Sequence, residues 1–282
     1  MAARTLTGLG GRQAALKPTK EADLAAELAS ALVAAEDVPA FGPGLVRRPR
    51  LLNRLLRSLP ARLVLLTAPA GYSKTTCLAE WAAAEKRPFA WLAADARHDD
   101  PALLVVSIVE LLEEIEPVDP DVLAALGTPD PSISTVVLPR LGRSLQARGK
   151  PFVLVIDDVH AITSAMSLEV LETLVEHLPA GAQLALASRT EPPLSLGRMR
   201  AHRQLAELTR AELSMTRAES AELLGKVGLE LTFAQLDVLF ERTEGWPAAL
   251  YLAGLALADQ HDANAAVTSF AGDDRIVVDY LR

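Results

Sequence analysis

The sequence predicts an α/β fold in which a parallel sheet is flanked by helices on both faces. Three observations support this prediction. Short apolar runs alternate with helix-like segments, a glycine-containing loop directly follows the first run, and the most apolar run ends in two carboxylates. Strands that alternate with helices form parallel sheets, because each crossover helix covers one face of the sheet.

The composition is that of a globular protein with a sizeable apolar core. Of the 282 residues, 50% are hydrophobic and only 4% are aromatic, and the formal net charge is −8. An acidic total argues against a chain that binds nucleic acid over its whole surface. Cys77 is the only cysteine, which excludes a disulfide within the chain and a zinc site of the cysteine type.

The sequence also predicts a cytoplasmic protein with no membrane segment. A single cysteine fits a reducing compartment. The N-terminus lacks the cationic start and apolar core of a secretory signal. The longest apolar stretch, residues 247–258, is too short to span a bilayer.

Five strands and seven helices are predicted from apolar runs and helical spacing. The strands cover residues 62–67, 88–93, 151–157 and 182–188, with a weaker one at 203–208. Helices are expected between them at 74–85, 100–114, 132–147 and 167–177, and after them at 216–224, 232–242 and 247–259. A further helix is expected at 19–36, ahead of a linker that contains proline and glycine.

The loop between the first strand and its helix reads Ala68-Pro-Ala-Gly-Tyr-Ser-Lys-Thr-Thr76. A loop in this place offers backbone N–H groups to phosphates, and the following helix N-terminus adds positive potential. Lys74 would reach the β- and γ-phosphates of ATP, and the Thr75 hydroxyl would ligate Mg²⁺. The residues assigned to nucleotide are Ala70, Gly71, Tyr72, Ser73, Lys74, Thr75 and Thr76.

This loop departs from the usual pattern of glycine, four residues, then Gly-Lys-Ser/Thr. Ala68 stands at the first glycine position and Ser73 at the second, so Gly71 is the one loop glycine left. A left-handed backbone costs more for serine than for glycine. The alternative interpretation is that Lys-Thr-Thr occurs by chance at the start of a helix.

The run Phe152-Val-Leu-Val-Ile leads into Asp157 and Asp158. A strand that ends in aspartate places charge in the crevice where open α/β sheets bind ligands. Asp157 would hold the water shell of Mg²⁺, and Asp158 would orient or deprotonate an attacking water. Taken alone, the pair also fits the start of a turn.

Arg189 follows the fourth strand. If an extra strand lies between the two motifs, as in the wider family of ATPases with that strand order, Arg189 would lie beside the phosphate-loop strand. It could then sense the γ-phosphate, as an arginine supplied by the same chain does. A solvated arginine after a strand is the alternative.

Residues from about 45 to 282 resemble the nucleotide-binding module of the MalT-like, large LuxR-type transcriptional regulators. These regulators belong to the signal-transduction ATPases with numerous domains (STAND), which have a P-loop NTPase fold. The resemblance runs through Arg47-Arg48-Pro49-Arg50-Leu51-Leu52, the phosphate loop, Ala90-Trp91-Leu92, Val155-Ile-Asp-Asp-Val-His160, Ala187-Ser-Arg189, Arg242-Thr-Glu-Gly-Trp-Pro-Ala-Ala-Leu250 and Phe270 to Leu281.

The resemblance implies an ATP- or ADP-operated regulatory switch with slow, Mg²⁺-dependent hydrolysis. It implies self-association in the ATP state, an inducer of unknown identity, and DNA binding only through a domain that is not in this chain. It also implies that Pro247, in Gly245-Trp246-Pro247, packs near the adenine. Val46 and Arg47 would approach the base from the other side.

Four regions are expected along the chain. Residues 1–44 form an extension that is partly helical or disordered, and 45–209 form the nucleotide-binding domain. Residues 210–265 form a small helical domain, because the strand pattern stops near 210. Residues 266–282 would begin a further helical or winged-helix domain, truncated here, so the chain is expected to be a fragment.

Three other functions remain open at this point. A small-molecule kinase would need an arginine-rich lid, for which the one candidate is residues 197–203, interpreted here as a solvated linker. A scaffold with a degenerate nucleotide site is favoured by Ser73 alone. A nucleic-acid binder would use that same basic cluster, but the acidic total and the lack of interleaved aromatics argue against it.

Overall fold

The computed structural model describes residues 45–128 and 132–258, and its centre is a parallel five-stranded sheet. The strands are β1 (Leu63–Thr67), β2 (Phe89–Ala93), β3 (Val153–Asp157), β4 (Gln183–Ser188) and β5 (Leu205–Thr209). Their order across the sheet is β2-β3-β4-β1-β5. The predicted parallel sheet is confirmed, and β4 lies between the strand of the phosphate loop and the strand that ends in aspartate.

Strand alternation divides the core into two layers, one on each face of the sheet. Leu63 and Leu65 of β1 pack into one cluster, whereas Val64 and Leu66 pack into the other. All four side chains are at most 1% exposed. Successive strand residues point to opposite faces, so a strand covered on both faces is apolar at nearly every position.

Eleven α-helices lie in the described residues. They are α1 (Pro49–Leu56), α2 (Lys74–Ala84), α3 (Pro101–Glu113), α4 (Pro120–Leu126), α5 (Leu138–Gln146), α6 (Ala165–His177), α7 (Leu196–Ala201), α8 (Arg210–Leu213), α9 (Arg217–Lys226), α10 (Phe233–Thr243) and α11 (Pro247–Ala258). A π-helical turn, Ile133–Val137, leads into α5. None of these helices is long and apolar enough to cross a membrane.

Helix starts follow the capping chemistry of the sequence. Asp100 accepts hydrogen bonds from the first-turn amides of α3, while Thr216 and Thr232 form capping boxes at α9 and α10. Each such cap stabilises a helix by about 1 kcal/mol. Pro247 begins α11, where its missing N–H costs no intrahelical bond.

Four short helices differ from the prediction, and one of them, α8, has only four residues. The patterns of α1 and α4 do not predict helices, because two turns give too few apolar positions for a visible period. Residues 197–203, predicted as a solvated linker, contribute to α7 instead. Arg200 there bonds Glu191 and Glu207, so exposed ion pairs accompany a helix that has few buried residues. The helix expected at 19–36 and the region 266–282 lie outside the described residues.

After Thr209 the described chain contains helices and connecting turns but no strand, and residues 210–258 are called the helical unit below. Its apolar cluster contains Leu224, Leu239 and Leu250, and it also takes in Val46 from the segment before α1. The N-terminal segment therefore joins the sheet to the helical unit. The division into domains near residue 210 stays a prediction.

Candidate nucleotide site

A cleft of about 620 Å³ opens at the carboxyl edge of the sheet, where the phosphate loop meets the helical unit. Its size lies within the usual range for small-molecule sites. One end is lined by Lys74, Asp158 and Arg189, and the other by Val46, Arg48 and Pro247. The residues predicted from four separate motifs are thus brought to one cavity.

The phosphate loop adopts a left-handed backbone at two places. Gly71 has φ 76°, and Ser73, which precedes α2, has φ 57° and ψ 36°. The strain anticipated for Ser73 is therefore present. A left-handed conformation costs an L-residue roughly 1–2 kcal/mol. The Ser73 side chain makes no capping hydrogen bond in return.

Lys74 folds back over its own loop. Its Nζ donates to the Ala68 carbonyl at 2.8 Å and to the Pro69 carbonyl at 3.0 Å. Burial lowers the Lys74 pKa, the neighbouring Asp157 and Asp158 carboxylates act against that shift, and the nearby Arg189 charge adds to it. This ammonium is a partly desolvated cation held by two carbonyls of the loop.

Thr75 and Asp157 meet although they lie on different elements. The Thr75 hydroxyl donates to Asp157 Oδ2 at 2.5 Å, and the Asp158 amide donates to Asp157 Oδ1 at 2.8 Å. Burial raises the Asp157 pKa, and the Thr75 hydrogen bond opposes that shift. A buried carboxylate beside a hydroxyl supplies the oxygen ligands that Mg²⁺ prefers.

Asp158 leads from β3 into a short 3₁₀ turn, Val159–Ala161, and has φ 53°. The interpretation of the two aspartates as the start of a turn therefore holds for the backbone. The Asp158 side chain nonetheless lines the cleft and is 53% exposed, so it can reach a water molecule.

Arg189 occupies the predicted place beside the phosphate-loop strand, because Ser188 of β4 pairs with Thr67 of β1. Its side chain lines the same end of the cleft as Asp158. Its charge also lowers the pKa of both Lys74 and His160. A γ-phosphate contact by Arg189 was predicted on the condition that an extra strand lies between the strands of the two motifs. Strand β4 lies between β1 and β3, so this condition is met.

His160 belongs to this end of the site and was not singled out from the sequence. Its Nδ1 lies 3.6 Å from Asp158 Oδ1, and burial lowers its pKa against the pull of Asp158. At this distance the two atoms form no hydrogen bond, and the buried Nδ1 has no hydrogen-bond partner among the described residues. The sequence feature that could have indicated His160 is its position two residues after Asp158, in the same turn.

The opposite end of the cleft is apolar and contains one buried cation. Leu45, Val46 and Pro247 line it, together with Arg48, which is 4% exposed. The side chain of Arg47 is exposed. The assignment of Arg47 to the base thus stays a prediction. The geometry favours Arg48, because it is the arginine of this pair that lines the cleft. The sequence motif alone does not distinguish the two arginines.

Arg48 ties the cleft to the helical unit. Its Nη2 donates to the carbonyls of Leu213 and Ser214 at 2.7 and 2.8 Å, and its Nε lies 3.5 Å from Glu219. Its Nη1 is buried and makes no hydrogen bond with the described residues. Burial lowers the Arg48 pKa, and Glu219 opposes the shift. A buried unpaired donor of this kind is costly, and a ligand acceptor would satisfy it.

These observations fit a nucleotide with Mg²⁺. The cleft offers a buried ammonium and loop amides at one end and an apolar wall with an orphaned arginine nitrogen at the other. Thr75 and Asp157 would hold the metal. No cluster of three or more His, Cys, Asp or Glu side chains that could hold a metal occurs in residues 45–128 and 132–258.

Comparison with known sequences identifies the family. The model of the AAA ATPase domain matches residues 47–187, from the segment before α1 to the end of β4. The chain belongs to the AAA ATPase domain family. The match includes the phosphate loop and both aspartates.

Curated relatives extend the likeness of this AAA ATPase domain into the helical unit. It is 31% identical over 213 residues to the HTH-type transcriptional regulator MalT of Serratia proteamaculans, covering 75% of this chain and 24% of that regulator. It is also 31% identical over 245 residues to the serine/threonine-protein kinase PknK of Mycobacterium tuberculosis, covering 84% of this chain and 22% of that kinase. The chain thus spans roughly a quarter of these relatives.

Solved structures share the fold at low identity. A Walker-type ATPase of Pyrococcus abyssi has a TM-score of 0.52 at 14% identity, covering 82% of this chain and 73% of that one. A STAND protein with a tetratricopeptide repeat sensor from Pyrococcus horikoshii has a TM-score of 0.51 at 14% identity, covering 82% of this chain and 32% of that one. The resemblance to MalT-like STAND ATPases is confirmed.

Replacing Ser73 with glycine is expected to raise the free energy of unfolding of this AAA ATPase domain by about 1 kcal/mol. Glycine accepts the left-handed backbone, and no capping bond is lost. Chemical denaturation of both forms measures the difference. Ser73→Ala is the matched control and should not stabilise, because alanine keeps the strain. A destabilised glycine variant would contradict the account.

Cys77 is expected to resist alkylation in the native chain. Its thiol is buried in α2, and burial raises its pKa to about 12. Because the thiolate is the nucleophile, iodoacetamide at about pH 7.5 should modify it at least about 100-fold more slowly than in the denatured chain. Mass spectrometry over time checks this, and equal rates would show that α2 opens readily.

Proposed function

We propose that this chain is an ATP-binding regulatory switch in which one nucleotide contacts both the sheet and the helical unit. One observation carries the proposal: Lys74 and Asp158 share a cleft with Pro247 of α11 and with Val46 and Arg48 of the N-terminal segment. A ligand shared by two units favours the arrangement in which both contact it. ATP and ADP would favour different arrangements wherever the γ-phosphate adds contacts.

Hydrolysis is assigned to the residues at the loop end of the cleft. Lys74 would transfer its hydrogen bonds from the Ala68 and Pro69 carbonyls to the phosphates. Asp158 would orient the attacking water and accept its proton. Arg189 would stabilise charge on the transferred group. Bound Mg²⁺, held through Thr75 and Asp157, would offset negative charge on the phosphates.

The exposure of two catalytic groups supports the proposal of slow turnover. The Asp158 side chain is 53% exposed, and Arg189 is also exposed. A base and a cation in contact with bulk water stabilise a transition state less than the same groups in a closed site. A long-lived ATP state suits a switch and does not suit a metabolic catalyst.

The output of the switch is proposed to lie in other domains. One relative is named a transcriptional regulator and another a protein kinase, and both match this chain over about a quarter of their length. We place this chain with transcriptional regulation in the cytoplasm, with self-association in the ATP state and with DNA bound by a separate domain. An inducer would act by changing the balance between nucleotide states.

Calorimetric titration with ATP and ADP, with and without Mg²⁺, tests the proposal together with steady-state hydrolysis. We expect binding of both nucleotides, a Mg²⁺-dependent gain for ATP, and turnover well below about 1 s⁻¹. Absence of binding would leave a scaffold with a degenerate site. Turnover above that rate that depends on an added small-molecule hydroxyl acceptor would instead indicate a kinase.

A further inference from the structure

We propose that Trp246 is a positioning residue that holds the phosphate loop in its phosphate-binding conformation against the backbone strain at Ser73. The inference rests on the nucleotide site proposed above. It assigns a role to direct contacts between the start of α11 and the loop, which form without a bound ligand.

Two hydrogen bonds join the start of α11 to the loop. The Trp246 indole Nε1 donates to the Ala70 carbonyl at 3.0 Å, and the Ala248 amide donates to the Gly71 carbonyl at 3.2 Å. The Ala248 amide lies in the first turn of α11, where no intrahelical acceptor exists for it. The loop carbonyl therefore caps the helix while the helix fixes the loop.

Side-chain packing reinforces the two bonds. The rings of Tyr72 and Trp246 stack with centroids 6.2 Å apart and an interplanar angle of 21°. Arg210 of the helical unit donates through Nε to the Tyr72 hydroxyl at 2.9 Å. The loop is thus held by its carbonyls and by its one aromatic side chain.

Gly71 shows how closely α11 approaches. A Cβ added at this position would lie 2.5 Å from the Ala248 Cβ and 2.8 Å from the Trp246 Nε1. Its φ of 76° is also left-handed. Close approach and backbone angle both require glycine here, so the glycine that the sequence keeps is the one that α11 contacts.

The direction of the two hydrogen bonds determines where the amides of the loop point. Within a planar trans peptide, the C=O of one residue and the N–H of the next point in opposite directions. Because the Ala70 and Gly71 carbonyls face α11, the amides of Gly71 and Tyr72 point away from it. Donors fixed in advance bind phosphate more tightly than donors that must first be ordered.

Such support is needed because Ser73 stands where the loop usually has a glycine. Alanine stands at residue 68, and Ser73 holds a left-handed backbone that carries a steric cost without a capping bond. Released from α11, Ser73 would relax toward an ordinary conformation and turn the loop amides. A loop with the Ser73→Gly substitution would have less strain to release and would depend less on Trp246.

Measuring ADP affinity of Trp246→Phe tests the proposal. Phenylalanine keeps an aromatic ring against Tyr72 and removes the bond to Ala70, so we expect binding about tenfold weaker. Thr243→Val is the matched control in the same unit: it removes the bond from Thr243 Oγ1 to the Leu239 carbonyl at a position close to Trp246 in the chain, and it should leave affinity unchanged.

The deciding readout is a double-mutant cycle with Ser73→Gly. In that background, Trp246→Phe is expected to weaken ADP binding only about two- to threefold, because the strain that Trp246 counters is gone. A role limited to packing of the helical unit would give the same loss in both backgrounds and would overturn the proposal. Equal affinity of wild type and Trp246→Phe would overturn it as well.

Tyr72→Phe gives a second, milder variant in case Trp246→Phe unfolds. It removes the Arg210 bond and keeps the stacked ring, and we expect a loss of ADP affinity of about two- to threefold that Ser73→Gly abolishes. An unchanged affinity, or a loss that persists in the Ser73→Gly background, counts against the proposal. A wild-type chain that binds no ADP would instead remove the proposed function itself.

Discussion

Lys74→Ala is expected to weaken ATP and ADP binding by at least about 100-fold. The Lys74 ammonium is buried at the loop and already donates to two carbonyls. Charge-assisted hydrogen bonds contribute about 1.5–3 kcal/mol each, and two of them to phosphate correspond to a change in affinity of about a hundredfold or more. Calorimetry with each nucleotide measures the loss.

A control lysine close to the same helix separates this effect from overall charge. Lys86, just after α2, is exposed, and Lys86→Ala should bind both nucleotides like the wild type. If Lys74→Ala also bound like the wild type, the loop would not be a phosphate site. The chain would then be better described as a scaffold.

Asp158→Asn is expected to keep nucleotide binding within about threefold and to lower ATP hydrolysis by about 100- to 1,000-fold, the usual effect of removing a positioned base. Asparagine tolerates the left-handed backbone at this position, where φ is 53°. The change therefore removes the carboxylate without adding strain. Single-turnover hydrolysis and ADP titration measure the two effects separately.

Asp157→Asn provides the contrast one residue earlier. That carboxyl is buried and bonded to the Thr75 hydroxyl, so its loss should abolish the Mg²⁺-dependent gain in ATP affinity. If Asp158→Asn lost ADP binding, or if it hydrolysed ATP at the wild-type rate, the division of roles between the two aspartates would be wrong.

The strands were predictable because their burial leaves a local mark. A parallel strand covered on both faces is a nearly continuous apolar run, and β1, β3 and β4 show such runs in the sequence. The short helices α1, α4 and α7 were not predictable in the same way, because two turns give no clear period. The ion pairs of α7 connect residues whose proximity only the fold determines.

The residues of the site also differ in whether a local sequence pattern could predict them. Residues that act through a local sequence pattern, such as Lys74 and Asp157, could be assigned from the loop and the strand end. Arg48 was separated from Arg47 only by its burial against the helical unit. The bond from Trp246 to Ala70 spans 176 positions, and no pattern in one sequence reports a contact of that kind.

Amide hydrogen exchange of the wild type with no nucleotide, with MgADP and with MgATP tests most directly whether this cleft is a switch. We predict that both nucleotides protect residues 70–76 and that exchange in α9 to α11 differs between ADP and ATP. Lys74→Ala should show neither change. Protection confined to the loop and identical for both nucleotides, with the helical unit unaltered, would contradict the coupling on which the proposed switch depends.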